Sequence, residues 1–594
     1  MNESFQSQQT IISKLFNERS NFILLGLTGR TGSGCTSASL ILEEKTPLNL
    51  SNEDLKYKDN YFYQGFDSIR QKITADYISK NYTPFITIKV SDLISAYILQ
   101  LPKNEIAKYL QHITKSTKSA ELAKLIRNGA FTNNSIVKHQ IFKEINTSIL
   151  NHSKELSLTP RHLSKFFSYM KSIKKFTSDF KKDLNSISSD LYVKLYQDAG
   201  NLIRKEGSIK NYSNPQFHPA SVYSLPESIN RCIKTIRSIN GQAGSYIAID
   251  AIRNPYEAKF FKDRYSAFYL VSINATNEDR KSYLQDMHKY TTDQFERLDS
   301  IESGKFDGKK EDKPSYFDFI NQNIKKCSEI ADIHIFNPRS NIKNTNILRS
   351  QLYWYISLIK KPGICTPTKI ERNMQIAFAA KLNSGCISRQ VGAVVTDSNQ
   401  SVKSVGWNDV AEGQVSCGFR NYHGLLTSFD NKIYSNYELK NNEIRSKAAE
   451  KFEILNNKLN NSGKYLSYCF KELKNSIDDN KNQVHTRALH AEENAFLQLA
   501  KYGNSPIQGG NLYTTASPCE LCAKKAYQLG IKNIYYIDPY PGISLEHIIE
   551  TGTNSPSLVQ FRGALGRAYH SLYEQIIPYK DELDYVSGPG RLAA

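Results

Sequence analysis

The chain of 594 residues is 40% hydrophobic and 11% aromatic, so it contains enough apolar material for two substantial cores. Its formal net charge of +19 suits phosphorylated ligands or nucleic acid, and it equally suits an ordinary solvated, lysine-rich surface. Nine cysteines without a framework spacing argue against a secreted disulfide scaffold and favour the cytoplasm, and the lack of a run of about 20 apolar residues argues against a membrane protein.

A glycine-rich loop follows the first apolar strand, which is expected over residues 21–27. The order of strand, glycine loop and helix is the one that a phosphate cradle requires. The pattern G-x-x-x-x-G-K-[ST] is met except that Cys35 stands where lysine belongs, so backbone N–H groups can bind phosphate while the bridging charge is missing. We expect nucleotide and Mg²⁺ binding without efficient phosphoryl transfer. The residues expected to bind are Gly29, Gly32, Gly34, Thr36 and Ser37.

Weaker signals follow this loop along the chain. A helical, basic stretch is expected over about 104–185, and the apolar strand 246–250 ends in Asp250, a position suited to a carboxylate that faces a metal. Residues 197–204 resemble the monophosphate-binding segment of deoxynucleoside-monophosphate kinases, Arg280 resembles their lid arginine, and 331–337 resembles their closing strand. The shared order predicts a P-loop kinase-like α/β domain over 15–345, with an unrelated α/β domain carrying a glycine-rich turn as the alternative.

The second half of the chain begins with a predicted helix near residues 374–380, with Ile376, Ala379 and Ala380 on its apolar face. Two strands are expected next, over 391–395 and 401–407. Residues 411–483 are rich in Asn and Lys and contain good helix formers, so they predict a helical, solvated insert. The second domain therefore spans 346–594 and starts as a sheet covered by helices.

Two short motifs near the end of this domain are typical of a zinc site. His490, Cys519 and Cys522 supply one imidazole and two thiolates, which hold Zn²⁺ and leave its fourth position open to water. Glu492, two residues after His490, is placed to carry protons between that water and a nucleobase. Both motifs are expected at helix starts, and the second follows a strand over 511–515. The alternative is a pair of structural cysteines beside an unrelated His-Glu pair.

The segment from about 371 to 540 resembles the deoxycytidylate deaminases, with Asn494 in the H-A-E-x-N-A form typical of that branch. The resemblance implies a cytidine-deaminase-like α/β/α sandwich in which Asn408, Arg389 and Asn494 lie near the nucleotide. Alternatively, Asn408 is a turn residue and Arg389 forms a surface ion pair. Some members of this family resemble enzymes with a second zinc site. The spacing of cysteines and histidines alone does not establish a second zinc site in this chain. Its ligands would come from Cys386, Cys417, His423 and His485.

The fusion of the two domains resembles the bacterial anti-phage deoxycytidine nucleotide deaminases. That family implies hydrolysis of dCMP and dCTP to deoxyuridine nucleotides, which depletes the dCTP pool during infection under control of the first domain. An inhibitory RNA or a phage-derived trigger is expected as a further partner. The resemblance to the deoxycytidylate deaminases implies a homo-oligomer, with a hexamer expected. Two alternatives are a polynucleotide cytosine deaminase acting on RNA or DNA, for which the net charge is the independent support, and a catalytically idle binding module.

Overall fold

The computed structural model describes residues 21–114, 119–306, 313–338, 344–427, 430–459, 462–480, 482–503, 506–538 and 542–587. Residue 15, where the first domain was expected to begin, lies outside these ranges. The chain divides into two compact units, both of mixed α/β structure. Unit 1 runs to Thr366 and resumes at Arg567, and unit 2 is Pro367–Gly566.

Unit 1 is built around a parallel sheet. The strands of unit 1 are β1 (Phe22–Thr28), β2 (Lys56–Tyr57), β3 (Asn60–Tyr61), β4 (Ile86–Lys89), β5 (Ser245–Asp250), β6 (Phe268–Asn274) and β7 (Ile333–Phe336). Strands β7, β6, β1, β5 and β4 lie side by side in that order and all run in parallel, whereas β2 and β3 form a separate hairpin. β1 is buried along nearly its whole length, as expected of a parallel strand covered on both faces. The strands expected near 21–27, 246–250 and 331–337 are confirmed.

Helices cover this sheet and form the basic middle of the unit, where helical structure was expected. The longest, α9, begins at Pro160 behind the capping residue Thr159 and buries an aromatic stripe that includes Phe166, Phe176 and Phe180. The helices are α1 (Cys35–Glu43), α2 (Phe66–Asn81), α3 (Val90–Ile98), α4 (Lys103–Thr114), α5 (Ser119–Asn128), α6 (Ala130–Asn133), α7 (Ser135–Lys138), α8 (Gln140–Leu150), α9 (Pro160–Asn185), α10 (Leu191–Glu206), α11 (Ser224–Asn240), α12 (Pro255–Arg264), α13 (Asn277–His288), α14 (Thr292–Glu302), α15 (Phe317–Ile320), α16 (Ile324–Glu329) and α17 (Asn346–Lys360).

The division between the units differs from the boundary expected between residues 345 and 346. Helix α17 packs on α2, and the Ser357 hydroxyl donates a 2.9 Å hydrogen bond to the backbone carbonyl of Thr74. The Trp354 ring also stacks on Tyr63, with ring centroids 5.5 Å apart. These contacts place α17 in unit 1, because an amphipathic helix belongs to the core that buries it.

Unit 2 holds a mixed sheet in the order β12, β11, β10, β8, β9. Strands β10, β11 and β12 are parallel, and β8 is antiparallel to both β10 and β9. The strands are β8 (Gly392–Thr396), β9 (Val402–Trp407), β10 (Asn511–Thr514), β11 (Asn533–Tyr536) and β12 (Ser557–Gln560), followed by the two-residue strand β13 (Gly563–Ala564). β8, β9 and β10 confirm the three strands expected in this domain.

Helices lie on both faces of this sheet. The helices of unit 2 are α18 (Lys369–Ala380), α19 (Tyr422–Thr427), α20 (Asn436–Lys440), α21 (Asn442–Leu459), α22 (Phe470–Asp478), α23 (Ala491–Tyr502) and α24 (Glu520–Gln528). The last two helices of the chain, α25 (Arg567–Tyr573) and α26 (Tyr579–Ser587), belong to unit 1. α18 packs against Val394 and Tyr513, and α23 and α24 pack against Val395 and Leu512. Because neighbouring strand residues point to opposite faces, the sheet lies between two helical layers.

The apolar face expected for α18 is partly wrong. Met374, Ala377 and Ala380 are buried, whereas Ala379 is exposed and Ile376 is only half-buried. The helix was expected to start near residue 374, but Thr368 caps it at Lys369, so residues before the expected start contribute to the buried face.

The insert expected over 411–483 contains helices α19 to α22, which enclose a small hydrophobic core of their own. Inside it, the buried Arg420 guanidinium donates hydrogen bonds of 2.6 and 2.5 Å to the two carboxylate oxygens of Glu438. Burial favours the neutral acid, but the hydrogen bonds and charge of Arg420 outweigh it and hold the pKa of Glu438 below its usual 4.5. At the base of the insert, Val410 and Ala488 form an antiparallel bridge.

No helix in the described part of the chain combines the length and apolar character that a bilayer crossing requires.

Candidate functional site

Two helix starts in unit 2 carry the residues of the zinc motif. His490 is the N-terminal cap of α23, Cys519 is the N-terminal cap of α24, and Cys522 lies in the first turn of α24. Gly406 on β9 allows α23 to lie close to the sheet, because a Cβ atom there would be 2.4 Å from the Ala491 carbonyl oxygen. The start of α23 is therefore fixed against the strand.

The three expected ligands converge. The Nδ1 atom of His490 lies 3.3 Å from Sγ of Cys519 and 3.4 Å from Sγ of Cys522. Within the described residues, these three form the one group of three or more His, Cys, Asp or Glu side chains whose ligand atoms lie within 4.8 Å of one another. The hydrogen bond between the two cysteines lowers the pKa of the Cys519 thiol and raises that of Cys522, and His490 adds to the lowering at Cys519, so Cys519 gives up its proton first.

Glu492 lies beside these ligands without joining them. It is 4% exposed, and its Oε1 atom accepts a 3.0 Å hydrogen bond from the Thr514 hydroxyl. Burial raises the pKa of the Glu492 carboxyl above its usual 4.5, because a buried site disfavours the charged form. A proton-carrying carboxylate beside a set of metal ligands is the arrangement used in hydrolytic deamination.

The donor set fits zinc. One imidazole and two thiols supply three soft or borderline ligands, and three protein ligands leave a zinc ion with one open position. Placing the ligands at the starts of α23 and α24 also favours the thiolate form, because helix N-termini stabilise negative charge.

The comparisons with known proteins agree with this geometry. Residues 367–538, all within unit 2, match the family model described as the cytidine and deoxycytidylate deaminase zinc-binding region. A deoxycytidylate deaminase of Enterobacteria phage T2 is 32% identical over 167 residues, which cover 28% of this chain and 78% of the phage protein. The chain belongs to the deoxycytidylate deaminase family. The deoxycytidylate deaminase of Enterobacteria phage T4 is 30% identical over 169 residues, covering 28% of this chain and 76% of its own length.

Solved structures include the dCMP deaminase of cyanophage S-TIM5, which is 21% identical to this chain. The match to its apo form covers 33% of this chain and 100% of the phage chain, with a TM-score of 0.19. The same phage enzyme has been solved in complex with dCMP and dUMP.

Two asparagines expected near the nucleotide bind backbone groups of this deaminase unit. The side chain of Asn408 accepts a 2.6 Å hydrogen bond from the Val391 backbone N–H and donates a 2.7 Å bond to the Arg389 carbonyl. Asn494 donates a 2.9 Å hydrogen bond to the Trp407 carbonyl. Asn408 therefore fixes the loop that precedes β8, and Asn494 ties α23 to the end of β9.

Arg389 projects from the loop held by Asn408. Its side chain is 41% exposed, and its guanidinium lies 3.6 Å from a carboxylate oxygen of the buried Asp538, just after β11. An arginine in this setting is anchored by one carboxylate and keeps part of its surface open to an anionic ligand.

The residues considered for a second zinc site are not gathered within the described chain. Cys417 forms a side-chain hydrogen bond with Cys469, a cysteine that the sequence had not singled out. His423 lies beside Phe452, and the His485 ring lies 6.5 Å from the Phe470 ring. The segments that carry Cys386 and Cys417 nevertheless touch, because the Gly418 backbone N–H donates a 2.8 Å hydrogen bond to the Gly385 carbonyl.

In unit 1, the glycine-rich loop lies between β1 and α1. Gly32 and Gly34 have φ angles of 87° and 118°, which other residues rarely adopt, and Gly34 caps α1 without a side-chain hydrogen bond. Burial raises the pKa of the Cys35 thiol to about 12, so it stays uncharged. Thr36 is exposed and Ser37 half-buried.

Other residues expected in unit 1 make internal contacts. The Asp250 carboxylate accepts a 3.0 Å hydrogen bond from Ser39 in α1. Arg280 is buried and donates hydrogen bonds of 3.0 Å to the Thr31 carbonyl and to Asp299. No sequence pattern indicated that Glu302, at the end of α14, accepts a 2.9 Å hydrogen bond from the Thr31 backbone N–H.

Proposed function

We propose that unit 2 hydrolytically deaminates the cytosine of deoxycytidine nucleotides, converting dCMP, dCTP or both to the deoxyuridine forms. The convergence of His490, Cys519 and Cys522 beside the buried Glu492 carries this proposal. The phage relatives named deoxycytidylate deaminases support the choice of a deoxycytidine nucleotide as substrate.

The side chains of this site divide the chemistry between them. His490, Cys519 and Cys522 hold zinc, which when bound lowers the pKa of a water molecule in its open position. Glu492 accepts a proton from the attacking water and passes it to N3 of cytosine. It then takes the remaining proton from the hydroxyl added at C4 and delivers it to the departing amino group, so that ammonia leaves and a carbonyl forms at C4. Its burial excludes bulk water from the carboxylate that carries these protons.

Recognition of the nucleotide is assigned to the neighbouring loop. The Arg389 side chain is partly exposed and ends in a guanidinium, a group that suits a phosphate. Asn408 holds the backbone of that loop, and Asn494 holds the helix start that carries Glu492. These two amides act on the substrate through the geometry they maintain.

Unit 1 is proposed to bind a nucleotide and to regulate the deaminase. The loop after β1 lies at the carboxyl end of the sheet where the strand order reverses, which is where ligands bind in open α/β folds. Gly32 and Gly34 allow a phosphate to approach the backbone, and Thr36, Ser37 and Asp250 are the proposed Mg²⁺ and phosphate neighbours. The uncharged Cys35 favours binding over phosphoryl transfer.

In the cell, we infer that deamination depletes dCTP during phage infection and that unit 1 keeps the enzyme silent until then. The net charge of +19 is compatible with an inhibitory RNA as well as with nucleotides. A cytoplasmic homo-oligomer is the proposed state, with a hexamer expected from the resemblance to the deoxycytidylate deaminases.

A product analysis tests the activity. The purified zinc-loaded protein is incubated with dCMP, dCTP, CMP, and single-stranded DNA and RNA oligonucleotides, and the products are identified by mass. Deamination of dCMP or dCTP is the expected result. Deamination confined to the oligonucleotides would contradict the proposed substrate, and inactivity towards every substrate would contradict the proposed reaction.

A further inference from the structure

Thr514 is the last residue of β10, and its hydroxyl is the side-chain donor to Glu492. Leu512, two residues earlier, packs in the same layer as Ala491 and Ala495 of α23, whereas Tyr513 packs on the opposite side of the sheet. Strand alternation therefore points Thr514 towards α23. The residue is fully buried in a mainly apolar layer, where an unpaired hydroxyl would be costly.

We propose that Thr514 is a positioning residue for the deamination assigned above, and that its hydroxyl fixes the orientation of the Glu492 carboxylate. The inference rests on the proposed function of Glu492 as the proton carrier. The terminal torsion of a glutamate is broad, so burial alone leaves the carboxylate plane free to rotate. The Thr514 hydroxyl adds a restraint from the sheet to the hydrogen bond that the carboxylate accepts from the backbone of Glu492 itself. A β-branched residue in a strand has a stiff χ1 angle, and a hydroxyl on such a residue is a rigid donor.

The hydrogen bond also distinguishes the two oxygens of Glu492. Thr514 binds Oε1 at 3.0 Å, so one edge of the carboxylate is held by the sheet. Proton transfer between water, the base and the leaving group requires the carboxylate to stay within hydrogen-bond reach of each. If the Glu492 carboxylate were rotated, the enzyme would still bind zinc and substrate. Fewer of its proton transfers would then reach the water, the base or the leaving group.

The test replaces the hydroxyl and measures kcat, KM and zinc content on dCMP and dCTP. Thr514→Val keeps the side-chain shape and should lower kcat roughly tenfold to a hundredfold, the loss expected for a hydrogen bond to a charged group, with KM and zinc nearly unchanged. Thr514→Ser restores the hydroxyl and should recover kcat to within about fivefold, because its χ1 angle is less restricted.

Thr396→Val is the matched control. Thr396 is also fully buried, but it pairs with Asn511 at the other end of β10, about 10 Å along the strand from Thr514. Its hydroxyl donates to the Asp397 backbone carbonyl and accepts from the Asn511 side-chain amide, and neither group contacts Glu492, so this variant should keep its kcat. In a Glu492→Gln background, Thr514→Val should change the residual rate by less than about twofold, because the glutamine can still accept the hydrogen bond but no longer carries protons.

Thr514→Ala also removes the hydroxyl but does not add the second methyl group of valine. It should therefore show the same loss of kcat as Thr514→Val. A Thr514→Val enzyme with the wild-type kcat would overturn the positioning role. A Thr514→Ser enzyme as slow as the Thr514→Val enzyme would overturn it as well. Loss of zinc or of folding in both hydroxyl-free variants assigns the hydroxyl to structure and also overturns it. These results presuppose an active wild-type enzyme, whereas an inactive wild type contradicts the proposed function and this inference together.

Discussion

Replacement of Glu492 by glutamine removes the proton carrier and keeps its shape. The amide side chain of the Glu492→Gln variant would retain an oxygen able to accept the hydrogen bond from Thr514, so the local packing changes little. Because burial disfavours the charged form of Glu492, exchanging it for a neutral amide should not destabilise the fold. The zinc ligands are untouched, since Glu492 is not among them.

The expected loss is kinetic. General acid–base catalysis by a positioned side chain contributes about 10²- to 10⁴-fold, and Glu492 is assigned successive proton transfers, so kcat should fall at least about 10³-fold. That fall corresponds to about 4 kcal/mol of transition-state stabilisation. KM should change much less, because the loss concerns the transition state rather than substrate binding.

The assay follows conversion of dCMP and dCTP by chromatography and measures zinc by elemental analysis on the same samples. One zinc per chain, a wild-type melting curve and a collapsed kcat are expected for Glu492→Gln. A variant that turns over within tenfold of wild type would refute the assignment of proton transfer to Glu492. A variant that loses its zinc would instead show that the carboxylate is needed to assemble the metal site.

Four further outcomes are expected. Cys519→Ala should lose zinc and local stability, because metal binding energy is folding energy at such sites, and a full zinc content would contradict its role as ligand. Gly34→Val should weaken ATP binding by unit 1, measured by calorimetry. The control Gly241→Ala should not, because Gly241 is a positive-φ glycine with open space around it. Rapid phosphorylation of a deoxynucleoside monophosphate by the wild type would contradict the regulatory assignment. Glu438→Gln should destabilise the insert by about 3 kcal/mol near pH 7, since it leaves the buried Arg420 unpaired. Because the pKa of Glu438 is lowered in the fold, its contribution to the free energy of unfolding is present above about pH 4.5 and should be lost as the pH falls further. Denaturation of the wild type and of Glu438→Gln across this pH range would measure the loss. Light scattering should return a hexamer, and a monomer at micromolar concentration would contradict the proposed assembly.

Local patterns were sufficient to predict most of the elements that carry the site. β1 and β10 are short apolar runs that end at turn signals, and His490 and Cys519 stand where a helix begins after a loop or a strand. The motif spacing also predicted that three ligands would meet, and they do. Such features depend on neighbours in sequence, which a single chain reveals directly.

Contacts between distant segments were harder to predict. The sequence placed Asn408 and Asn494 near the nucleotide by resemblance. It gave no sign that their amide groups bind backbone groups that only the folded chain brings within reach. Glu302 contacts Thr31, which is 271 residues earlier in the sequence, and no local pattern indicates that pair. The position of α17 likewise depends on its partner helix and not on its own periodicity.

The bridge between Val410 and Ala488 has a consequence for how this enzyme can vary. Because the two ends of the insert are held side by side, added chain between them behaves as a closed loop, and each doubling of its length costs only about 0.6 kcal/mol of entropy. The helices inside the insert have their own apolar core and do not borrow that of the catalytic sheet. Whole modules of different size and surface can therefore be exchanged at this point over evolution, or spliced in by design, while the metal ligands keep their places.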